Sequence, residues 1–250
     1  MYYNTRKEIH LQGYKSPKNM LYFCQNLQGG GPLARPRNEE LFNTIKKEAY
    51  RQLMSYGYTD TTYQSIAAAC GVTRAAVQNY YASKPDLALA FFGDLLSVIY
   101  DVIQQRGIHA ENEFDTMFCI GQSFFAFLMQ DSGSRKLLFE LTNSREITSE
   151  VLNFEYNWGR EFIATERTVS EEKFQNDVTS YMGGFYELLY TYLKDGRPFD
   201  LPTHLGRVIR AIMNDHGYSY DDAKAFVAAH AMTTDELEPV ISDIANRMEL

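Results

Sequence analysis

The chain has 250 residues and 45% hydrophobic content, enough apolar material for a substantial core in one large or two smaller domains. No apolar run reaches the roughly 18 residues of a membrane span, and the N-terminus lacks the apolar stretch of a signal peptide, so the expectation is a cytoplasmic protein with no membrane partner. Its three cysteines, Cys24, Cys70 and Cys119, include no close pair, which argues against a disulfide framework and against a zinc site.

The net charge of −8 is unevenly spread. Residues 1–37 hold six Lys/Arg against one acid, residues 38–86 five against five, and residues 87–250 thirteen against twenty-six. A neutral head on an acidic body is compatible with DNA binding when the positive groups face one way.

Residues 1–37 read as a flexible N-terminal extension with a Gly/Pro linker from Gly29 to Pro36. Arg35 and Arg37 are placed either as a basic arm for a neighbouring minor groove or as part of a solvated tail. Asn38 then caps a helix running to about Ser55, with Leu41, Ile45, Ala49 and Leu53 as its apolar face and Gly57 as its end. Thr62 caps a short helix carrying Ile66, Ala67 and Cys70, and Gly71 stops it. Thr73 caps a second helix, Arg74 to Tyr81, with Val77 and Tyr81 inward and Arg74, Gln78 and Asn79 outward. Two short helices across a glycine turn form a helix-turn-helix, whose second helix can enter a major groove. Ser83 caps the next helix, started by Pro85 and running to about Arg106.

The string Gly57-Tyr58, Thr61-Thr62, Ile66-Ala67, Gly71-Val72-Thr73, Tyr81, Ser83-Lys84 and Leu87, at this spacing, resembles the N-terminal domain of the tetracycline-repressor (TetR) family over roughly residues 38–90. One departure is that the family usually has Tyr and a small polar residue where this chain has Gln78 and Ala76. The resemblance implies an all-α fold: an N-terminal three-helix helix-turn-helix head over residues 38–86, followed by a larger helical effector-binding and dimerisation domain over 87–250. It also implies a homodimeric transcription regulator, a repressor, that binds a palindromic double-stranded DNA operator and answers to a small-molecule effector. The helix after Ser83 would swing the head when ligand binds. The implied DNA-contact surface is Thr62, Tyr63, Gln64, Thr73, Arg74, Ala75, Gln78, Asn79, Tyr80 and Lys84. Chemically, hydroxyls, first-turn amides and Lys84 suit phosphates, Arg74 suits guanine, and Gln78 or Asn79 suits adenine.

From Glu111 onward the periodicity is helical throughout, with helices expected near 114–128, 135–145, 150–167, 174–194, 201–214, 221–231 and 235–248. This body is rich in aromatic residues, and Phe118, Phe125, Trp158, Phe162, Tyr181 and Phe185 are candidates to line a cavity for an apolar effector. The helices Glu171 to Lys194 and Leu201 to Asn214 are the candidate dimer surface, through Gly183, Gly184, Leu189, Tyr190 and Leu193, the alternative being that the two final helices cover that apolar surplus. The five histidines show no metal-ligand spacing and no phosphate loop follows a strand, so no cofactor and no enzymatic activity are expected. The competing expectation is a protein of this fold working through protein contacts, as an adaptor or interfering dimer partner.

Overall fold

The computed structural model describes residues 38–108, 112–163 and 170–250, the side chains at 158 and 160–163 excepted. The N-terminal extension, with Arg35 and Arg37, lies outside the described residues. All regular elements among the described residues are α-helices.

Helix α1 (Glu39–Asp60) begins at Asn38, whose Oδ1 accepts the Leu41 N–H at 3.1 Å, with Glu39 and Glu40 at the positive end of the helix dipole. Ile45, Ala49 and Leu53 are fully buried on one face, as their four-residue spacing demands. Gly57 kinks α1 where an end was expected: at φ +84° it breaks the helix, which then resumes for another turn. The Thr61 hydroxyl donates to the Gly57 carbonyl at 2.7 Å, offsetting part of that break.

Helix α2 (Tyr63–Cys70) starts in a reciprocal capping box, with the Ser65 N–H on Thr62 Oγ1 and the Thr62 N–H on Ser65 Oγ, both at 3.0 Å. Gly71 closes it in the left-handed region at φ +67°, and the Val72 N–H bonds the Ala67 carbonyl at 3.0 Å. Helix α3 (Arg74–Gln78) is capped by Thr73 and is shorter than the periodicity suggests. Asn79 and Tyr80 form its closing turn, because the chain bends there to bring Tyr80 and Tyr81 against Phe42 of α1, with ring centroids at 5.3 and 6.2 Å.

Helix α4 (Lys84–Arg106) carries Ser83 and Asp86 as a capping box, Pro85 in the first turn and Gly107 as a left-handed C-cap. The expected domain boundary at residue 87 falls inside this unbroken helix. Leu87, Phe91, Leu95, Ile99, Val102 and Ile103 are essentially inaccessible, since α4 is packed from both sides. Toward the head, Phe91 meets Tyr50 edge-on at 5.1 Å, while Lys46 and the Tyr50 hydroxyl both bond Asp94.

The body comprises α5 (Glu113–Leu128), α6 (Ser132–Asn143), α7 (Arg145–Ile163), α8 (Glu171–Lys194), α9 (Leu201–Asp215), α10 (Tyr220–His230) and α11 (Thr234–Met248). Phe92 of α4 reaches Phe124 of α5 at 5.7 Å, so one core runs through both parts. Helix α9 spends its apolar face inside the protomer: Leu205, Val208, Ile209 and Met213 are buried. Leu189 of α8 is likewise fully buried in the protomer's own core, and Tyr190 stacks on Phe139 at 5.7 Å. Of the expected dimer surface, Gly184 stays open, with nothing within 4 Å of where a Cβ would stand.

A second joint between head and body, α1 on α6, had no signature in the periodicity. A Cβ on Gly133 would lie 2.3 Å from the Met54 carbonyl and 2.7 Å from that of Ser55, so only glycine lets the helices approach this closely. Glu140 accepts the Thr59 N–H at 2.9 Å and Lys136 pairs with Asp60, fastening the turn beyond the kink. Gly133→Ala is expected to destabilise the protein by about 1–3 kcal/mol in urea denaturation. The sign is diagnostic, because Ala for Gly within a helix otherwise gains up to about 1 kcal/mol.

Candidate DNA interface and internal cavity

Thr62, Gln64, Thr73, Arg74, Ala75, Gln78 and Asn79 are all exposed, and the capped starts of α2 and α3 bring them together. The hydroxyls of Thr62 and Thr73 accept the amides of Ser65 and Ala76. They therefore set the helix starts, by taking up one of the first-turn amides that each helix leaves without an intrahelical partner.

Three of the expected contacts are committed internally. The Tyr63 hydroxyl donates to the Tyr81 carbonyl at 2.9 Å, bracing α2 against the end of the motif, and burial pushes its phenol up to about 12. The Tyr80 hydroxyl donates to the Asn38 carbonyl at 3.2 Å. Lys84 donates to the Thr59 carbonyl at 3.0 Å with its ammonium 4.4 Å from the centre of the Tyr58 ring, and burial lowers its pKa. This lysine fastens α4 to the last turn of α1.

The other cations of the head are paired. Lys46 meets Asp94 at 3.1 Å, Lys47 meets Glu249 at 2.6 Å and Arg51 meets Glu48 at 2.7 Å. Among the described head residues, Arg74 alone presents an uncommitted guanidinium to solvent. It stands in the first turn of α3, where a helix entering a groove places its base-reading side chains.

In the body, α4, α5, α7, α8 and α9 enclose a cavity of about 140 Å³ lined mainly by carbon, including Leu96, Ile120, Phe124, Phe125, Phe174 and Ile209. Of the expected effector contacts, Phe125 and Tyr181 line it. Phe118 and Phe185 do not: Phe118 is core, and Phe185 backs the wall through Phe125, with ring centroids at 4.7 Å. The side chains of Trp158 and Phe162 lie outside the described residues.

Glu155 was missed by pattern, and it is the acid of the inner wall. The Tyr186 hydroxyl donates to its Oε1, while Oε2 is buried with no hydrogen-bond partner among the described residues. Burial raises its pKa to about 7. Nothing in sequence separates it from the solvated acids of the same helix except a place on the apolar face one residue after Phe154. Burial, and after it the neighbouring Asp115, pushes the Cys119 thiol up and disfavours the thiolate. No group of three or more His, Cys, Asp or Glu among the described residues is placed to hold a metal ion, and no described helix is long and apolar enough to cross a membrane.

A capped helix-turn-helix, joined by a proline-started helix to an all-helical body, is the architecture of a helix-turn-helix transcription regulator. Residues 45–91 match the family model described as bacterial regulatory proteins, tetR family. Among solved structures, the fatty acid degradation regulator FadR from Bacillus halodurans is similar at 17% identity, covering 68% of this chain and 96% of that one with a TM-score of 0.44. No curated protein matches.

The burial of Glu155 gives a pH signature. Its folded pKa lies above the ordinary carboxylate value, so its contribution is full at pH below the unfolded value and is lost as pH rises through about 7. Glu155→Gln is therefore expected to be more stable than the parent at pH 8 by about 1–3 kcal/mol and to lose that advantage at pH 4.5. Denaturant titrations at the two pH values check this.

Proposed function

We propose that the protein is a ligand-responsive repressor that binds a roughly palindromic operator as a homodimer. Each protomer sets α3 in a major groove, with half-sites about 34–36 Å apart. The observation that carries this reading is Arg74, exposed and unpaired on the first turn of the recognition helix beside two capped helix starts. The cavity supports effector control because Leu96 of α4 forms part of its wall. A ligand there touches the same helix that carries the head. It lowers operator affinity to the extent that it binds the released conformation more tightly.

A rival role through protein contacts is favoured by one observation: most cations of the head are already paired or buried. Salt dependence separates the two, because a dimer on phosphates loses affinity with a log-log slope of about −0.9 per contact.

Selection of bound duplexes from a random pool is expected to return an inverted repeat. Arg74→Ala is expected to relax preference at one base pair per half-site by about 1–3 kcal/mol with unchanged thermal stability. An identical motif and affinity for the variant would remove Arg74 from base reading, and a pool with no enrichment would favour the rival.

For self-association, α8 is the proposed seat, through the open face at Gly184. Gly184→Glu is expected to give monomers by light scattering with helical content retained. A dimer of unchanged mass would place the interface elsewhere.

A further inference from the structure

The inner wall of the cavity carries one acid among carbon. Glu155 Oε1 is engaged by Tyr186, but Oε2 is out of contact with solvent and lacks a partner among the described residues. Buried oxygens are rarely left so in folded proteins, because each forfeits a hydrogen bond that water would have made. A donor brought by a ligand would restore it.

The surrounding charges narrow what that donor is. No Lys or Arg is among the described lining residues. The other two acids, Asp177 and Asp215, stand toward the exposed end. There Lys173 bridges them at 2.6 and 3.6 Å, and the Tyr181 hydroxyl donates to Asp215 at 2.5 Å. A carboxylate ligand entering here would meet three acids with no cation beside the innermost one. A neutral hydroxyl would satisfy one lone pair. A protonated nitrogen would do so with a charge-assisted bond and would compensate the buried charge. The size of the cavity, about 140 Å³, is comparable with the ~150 Å³ apolar cavities that accept a benzene ring.

We infer that the cavity takes a compact apolar amine, whose protonated nitrogen donates to Glu155 Oε2 while its ring or hydrocarbon lies among Phe124, Phe125, Phe174 and Ile209. This names the ligand class of the effector site proposed above and rests on that reading for its regulatory consequence.

The test is calorimetric titration of the full chain at pH 8 with three probes of one shape: 3-phenylpropylamine, 3-phenylpropanol and 3-phenylpropanoate. The amine is expected to bind about tenfold or more tighter than the alcohol, with the carboxylate weakest. Glu155→Gln is expected to abolish the amine's advantage while leaving the alcohol within about twofold. An amine that binds no tighter than the alcohol, that is indifferent to Glu155→Gln, or that fails to bind along with the other two overturns the assignment. Duplex affinity measured with each probe separates this from the regulatory reading. Glu155-dependent amine binding that leaves duplex affinity unchanged keeps the amine site and overturns effector control. Duplex release by the alcohol or carboxylate without preference for the amine does the reverse.

Discussion

The burial of α4 from both sides is the constraint on which the rest of the molecule depends. A helix that is apolar nearly all round has no solvent face to spare, so head and body must both pack on it and neither has a separate core. Phe91 turns to Tyr50 in the head and Phe92 to Phe124 in the body. Adjacent residues on one helix therefore report to opposite parts of the protein. Any movement of α4 is felt in both, and Leu96 extends that sensitivity to the cavity wall.

The α1–α6 joint adds a condition that α4 alone would not impose. Gly133 against the carbonyls of Met54 and Ser55 is a contact of backbone on backbone, which side-chain rotation cannot relieve. The turn after Gly57 is held separately by Glu140 and Lys136. With Lys84 bonded to the Thr59 carbonyl, that turn is tied to α4 as well as to α6. The extra turn of α1 thus serves as a shared anchor, and the residues expected to grip DNA phosphates are partly used to build it.

What was legible in the sequence was what is local. Thr62, Gly71, Thr73 and Ser83 act within three or four residues of themselves, and each caps the helix that its type and position predict. Burial was legible where the period was clean, as at Ile45, Ala49 and Leu53. What was not legible depends on partners far along the chain. Lys84 and Tyr80 are polar groups on a recognition surface until Thr59 and Asn38 are seen beside them. Leu189 and α9 read as surplus apolar surface until the neighbouring helices cover them. Glu155 shows the limit most plainly: a helical glutamate is ordinary in composition, and only the packing of α7 on α8 makes its carboxylate a buried acceptor.

The pairing of the head's cations has a consequence for kinetics rather than for fold. Residues 38–86 carry no net charge and residues 87–250 carry thirteen more acids than bases, so the described part of the molecule exerts little long-range pull on a polyanion. For the operator binding proposed above, residues 38–250 alone would give an encounter near the unsteered rate of about 10⁵–10⁷ M⁻¹s⁻¹, with selectivity among sites set by how long the complex lasts once formed. The surplus of basic residues in the sequence lies in residues 1–37, where six Lys/Arg stand against one acid.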